Sequence, residues 1–140
     1  RAEIYLNLDQ DDKAIEDMNK AIKLHPKNTS ALNMRAAFFA KIGRQREAMA
    51  DVQASLKIDK NNLEGYFVRG LVYADLGKYE DAIKDFDKVI QMDYTFYKAY
   101  YDRGVCYEGL GEVDEACKNF EIAKLMGDKK AEKMYHSADY

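Results

Sequence analysis

An all-α solenoid of antiparallel helix pairs is the fold this sequence predicts, on three observations. One pattern returns every 34 residues without insertion, as Arg1, Arg35, Arg69 and Arg103 show. Small and bulky residues recur inside each unit at spacings of three and four, which marks one face of a helix. Pro26 is the only proline among 140 residues, so long stretches run without a helix breaker.

The first half of each unit aligns Leu32 with Tyr66 and Tyr100, Ala36 with Gly70 and Gly104, and Phe39 with Tyr73 and Tyr107. Tyr5 takes the last of these places in the first unit. Gly43, Gly77 and Gly111 follow, where a left-handed residue ends a helix; Asp9 stands there in the first unit. The second half aligns Ala14, Ala48, Ala82 and Ala116, then Met18, Val52, Phe86 and Phe120, then Ala21, Ser55, Val89 and Ala123. Each unit therefore reads as two helices of about 14 residues joined at the glycine, a pair too small to bury its apolar face alone. Small residues let the two helices approach, and the aromatics fill the space beside them.

These columns resemble the tetratricopeptide repeat (TPR) family over nearly the whole chain. The family's frequent proline is present only as Pro26, with Lys60, Tyr94 and Asp128 in the other units. The resemblance frames the chain as one TPR domain: a truncated repeat at 1–28, complete repeats at 29–62, 63–96 and 97–130, and a C-terminal capping helix at 131–140 carrying Met134 and Ala138. It implies a right-handed superhelix whose concave groove, lined by the first helix of each repeat, holds a peptide or helix of a partner. The groove positions are Asn33, Met34, Ala37 and Lys41, then Glu64, Phe67, Val68, Leu71 and Asp75, then Lys98, Tyr101, Asp102, Val105 and Glu108. Met34, Phe67, Val68, Leu71, Tyr101 and Val105 form an apolar strip of anchors, and the charged residues form its rim.

One TPR subgroup grips the C-terminal carboxylate of chaperones with a set of Lys, Asn and Arg side chains. The matching places here hold Asn33, Ala37, Val68, Lys98 and Asp102, of which only Lys98 fits; a start in the first unit, with Glu3, fits no better. The carboxylate clamp is therefore expected to be absent.

Composition narrows the remaining classes. The net charge is -3, with 22 basic and 25 acidic residues interspersed, not the clustered basic excess that phosphate backbones demand. No apolar run reaches the roughly 18 residues of a membrane-spanning helix. His25 and His136 share no metal-ligand spacing with Cys or acidic partners, and no phosphate loop or nucleophile–base set stands out, so neither cofactor, metal nor catalysis is expected. Cys106 and Cys117 are read as free core thiols, which leaves the compartment open with reducing, cytoplasmic conditions favoured. A non-catalytic protein-interaction scaffold is the leading function. A self-assembling homo-oligomer, or the regulatory arm of a larger protein, are the alternatives.

One expectation concerns the arginine column. Asp17, Asp51 and Asp85 share a column in the second helices, and Asn119 replaces them in the last unit. Charges in a packed interface need partners. The loss of the acid where the next unit has lost its Arg points to inter-repeat pairs: Asp17–Arg35, Asp51–Arg69 and Asp85–Arg103.

Overall fold

A computed structural model describes residues 2–127, with side chains from residue 10 onward. Among the described residues there are seven helices: α1 (Ala2–Leu24), α2 (Thr29–Lys41), α3 (Gln45–Ile58), α4 (Leu63–Asp75), α5 (Tyr79–Met92), α6 (Tyr97–Gly109) and α7 (Val113–Leu125). No strand occurs among them, and none of these helices is long and apolar enough to cross a membrane. The capping helix expected at 131–140 lies outside the described residues, as do the side chains of Glu3 and Tyr5. The chain divides into two compact units, Arg1–Gly65 and Tyr66–Tyr140.

The helices end where the columns place them. Gly43, Gly77 and Gly111 adopt φ of +86°, +78° and +81°. The following N–H returns to the aromatic one turn back, Arg44 to the Phe39 carbonyl at 2.8 Å, Lys78 to Tyr73 at 2.8 Å and Glu112 to Tyr107 at 2.9 Å, which satisfies orphan carbonyls at each helix end. Asn28 opens α2, its side chain accepting from the Ala31 N–H at 3.2 Å.

The first unit departs from the expected plan. Asp9 lacks glycine's freedom to reverse the chain, and α1 runs unbroken through it from Ala2 to Leu24. One helix therefore stands where a helix–turn–helix was expected. Its core columns are correspondingly less buried: Ala14 and Met18 are half-buried and Ala21 is exposed.

In the unit 1–65, α2 packs on α1 and α3, and Leu32, Ala36, Phe39, Ala48, Val52 and Leu56 form the core. In the unit from Tyr66, α6 packs on α5 and α7 around Val72, Ala82, Phe86, Val89, Ala99, Cys106 and Ala116. A repeated seat organises this second unit. The Phe86 ring lies under Gly70, where an added Cβ would stand 2.6 Å from its Cε1, and the ring tilts against Phe67 with centroids 5.8 Å apart. One unit later Phe120 lies under Gly104, a Cβ there standing 2.8 Å from Cε1, and tilts against Tyr101 at 5.4 Å. Glycine is needed at both places for space. Tyr73 and Tyr107 are half-buried rather than fully enclosed.

The arginine column pairs differently from the sequence expectation. Arg35 forks onto Asp51 with two bonds of 2.7 Å, and Arg69 onto Asp85 with bonds of 2.9 and 2.8 Å. Arg103 donates to Asn119 at 2.7 Å. Arg35, Arg69 and Arg103 thus each meet the second helix of their own repeat, and the expected pairs Asp17–Arg35, Asp51–Arg69 and Asp85–Arg103 are not formed. The reason is direction. The side chain projects over the partner helix of its own hairpin, where the carboxylate is buried and most in need of a donor. The reach to the preceding unit does exist, but through other residues: Arg35 also donates to Asn19 at 2.7 Å, and Arg103 to Asp87 at 2.8 Å.

Candidate functional site

The groove positions that fall in the unit 1–65 separate into buried and open ones. Met34 is 63% exposed, and Ala37, Lys41 and Glu64 are exposed as well. Asn33, expected on the open face, is only 3% exposed. The turn after α3 covers it: Asn33 Nδ2 donates to Asn62 Oδ1 at 3.0 Å, Asn62 Nδ2 donates to Ser55 Oγ at 2.6 Å, and Asn62 Oδ1 also accepts from the Gly65 N–H at 3.1 Å. Asn33 is thus committed to holding that turn. Its Oδ1 is buried with no hydrogen-bond partner among the described residues.

Within the second unit, Val68 is 7% exposed and belongs to the core, not to an open strip. Phe67 is half-buried between Phe86 and Phe96, whose centroid lies 5.0 Å away edge-on. A charge at Phe67 would break this aromatic cluster as well as any contact with a partner. The open apolar surface instead comes from α6, where Tyr101 is 54% and Val105 37% exposed. Leu71 on α4 is half-buried, and Asp75, Lys98 and Glu108 are exposed. Tyr101 rests on Phe120, so its ring is held in place before any partner arrives, which lowers the entropy cost of using it as an anchor.

Asp102 was expected on the rim and is half-buried. Burial pushes its carboxyl up to about 6, Lys98 opposes the rise and Asp75 adds to it. It makes no hydrogen bond or ion pair with a described residue. The signal lay in the sequence: Asp102 shares a column with Met34 and Val68, so a carboxylate stands where the other units place apolar side chains. Its raised pKa carries a sign. A carboxyl whose folded pKa exceeds the ordinary 3.8 favours folding fully at low pH, and that contribution is lost as pH rises through about 6. Asp102→Asn is therefore expected to raise the melting temperature at pH 7.5 and to leave it unchanged near pH 3.5. Equal melting shifts at both pH values would contradict this account of Asp102.

Neither cysteine is bonded. Cys106 is buried, and burial raises its thiol to about 11. Cys117 is exposed, so the expectation of two core thiols holds only for Cys106. The α7 residue that turns inward beside it is Ala116, which meets α6. Among the described residues no group of three or more His, Cys, Asp or Glu side chains could hold a metal ion.

Residues 1–28, 63–93 and 98–125 each match the tetratricopeptide repeat, together more than half of the chain. No curated protein matches the sequence. Among solved structures, a crystal structure of MamA protein is 28% identical, with 93% of this chain and 71% of that one covered at a TM-score of 0.72. The second TPR of Spaghetti (RPAP3), bound to an HSP90 peptide, is 27% identical, with 82% of this chain and 99% of that one covered at a TM-score of 0.64. A thermophilic TPR protein in Thermus thermophilus shares the fold at a TM-score of 0.79 and 22% identity, with 91% of this chain and 71% of that one covered. With the repeated columns and the glycine-ended helix pairs, the matches along the sequence show that the chain belongs to the tetratricopeptide repeat family.

Proposed function

We propose that the chain is a non-catalytic scaffold that holds a peptide or helix of a partner protein through apolar anchors on its first-helix faces. The observation that carries this reading is the pair Tyr101 and Val105, both open on α6, with Tyr101 already braced by Phe120. Met34 offers a comparable exposed anchor on α2. A related TPR structure holds a peptide, and the same mode of use is proposed here with different chemistry. Where the carboxylate clamp places arginine, this chain has Asp102, so an acidic C-terminus is not its ligand.

The test is a random twelve-residue peptide library displayed on phage and selected against the whole 140-residue chain. Val105→Glu is expected to weaken the selected peptides at least tenfold, with helix content and melting unchanged, because the side chain faces solvent in the free protein. Peptides that bind the variant as tightly as the parent would overturn the reading.

A further inference from the structure

We propose that the occupant of the α6 face is a peptide carrying a lysine or arginine next to an apolar anchor, the cation seating on Asp102 and the anchor between Tyr101 and Val105. This inference rests on the reading of α6 as a partner-binding face. Three observations lead to it.

The first is an acid with no hydrogen-bond or ion-pair partner among the described residues. The other partly or fully buried aspartates with an arginine in reach, Asp51 and Asp85, are each met by a two-bonded guanidinium. Asp102 is half-buried and has no such donor among the described residues. A desolvated carboxylate without a donor is costly, and a partner's cation is the group that offsets the cost.

The second is the balance of charge around it. On its own helix Asp102 feels Lys98, and burial pushes the Cys106 thiol up to about 11, a rise to which Asp102 adds. From α4 it feels Asp75. Glu108 lies further along α6. Asp75 adds negative charge beside Asp102, which favours a basic ligand, and Lys98 makes no ion pair with Asp102, so its charge does not close the site.

The third is the company Asp102 keeps. Tyr101 and Val105, its neighbours on α6, are the exposed apolar residues of that face. Tyr101 also offers the α6 surface an exposed aromatic ring, whose face attracts cations.

The same phage library, selected on the 140-residue chain at pH 7.5, tests this. Peptides whose binding is lost on Val105→Glu are expected to be enriched in Lys or Arg beside an apolar residue. Asp102→Asn should weaken them at least tenfold, and replacing that Lys or Arg by Gln should weaken binding to the parent but not to Asp102→Asn. Binding to the parent should also weaken about tenfold from pH 7.5 to pH 5, as a carboxyl near 6 takes up its proton, while the variant stays flat. Peptides sensitive to Val105→Glu that show no basic enrichment, or that bind Asp102→Asn unchanged, overturn this inference and leave the groove reading standing. If no selected peptide responds to Val105→Glu, both fall.

Discussion

Phe86→Ala is expected to lower the stability of the chain by about 3–5 kcal/mol, the range for emptying a fully enclosed aromatic seat. Phe86 has no exposed surface. Its ring fills the close approach beneath Gly70 and supports Phe67, which in turn supports Phe96. The glycine cannot collapse into the space left behind, because it has no side chain to move. Phe86→Leu, which keeps most of the volume, should cost less than half as much. Chemical unfolding followed by circular dichroism measures both. A loss under about 1 kcal/mol for the alanine variant would show that the seat repacks and that the Gly–Phe pairing is not what fixes the hairpin.

Arg69→Met should be the next most damaging change, at about 3 kcal/mol, while Arg103→Met should cost only about 1 kcal/mol. The two arginines occupy the same column and differ in what they leave behind. Removing Arg69 strands the buried Asp85 carboxylate, which accepts both of its bonds from that guanidinium. Removing Arg103 strands Asn119, a neutral amide that keeps its own bond to the Glu115 carbonyl at 2.8 Å, and Asp87, which is exposed. Burial already raises the Asp85 carboxyl above its ordinary value, against the opposing pull of Arg69. Without Arg69 it rises further, so the variant's deficit should shrink as pH falls from 7.5 to 5 and Asp85 takes up a proton. Equal deficits for the two methionine variants, or a deficit independent of pH, would rule out a stranded charge as the cause.

The fold was legible because its signals are redundant. The aromatic, alanine and glycine columns each repeat at one period, and each is enforced by a separate physical need: volume, close approach and a left-handed turn. The continuous α1 was foreshadowed by the one missing glycine, since Asp9 could not be relied on to end a helix. The site was less legible. Column membership says which helix face a residue occupies but not what a neighbouring turn lays over it, so Asn33 read as open although Asn62 covers it. The arginine pairing failed for a related reason. The Asn119 substitution was a true signal about Arg103, but a count of charges along the chain cannot say which of two flanking helices a long side chain reaches. Asp102 was a further miss: it was read as a rim charge, although its apolar column-mates Met34 and Val68 marked a place where a carboxylate is half-buried.

The arginine column also bears on how such a chain can change over generations. Arg35 reaches sixteen residues forward to Asp51 and sixteen back to Asn19, and Arg103 does the same to Asn119 and Asp87. Gaining or losing a whole unit moves an arginine and its forward partner together and delivers them to an equivalent backward neighbour. Gaining or losing a single residue within a unit displaces one partner by a third of a helical turn and breaks the fork. The architecture can therefore be lengthened by counting but not by stretching, and its lineage should vary in the number of units far more freely than in the length of any one.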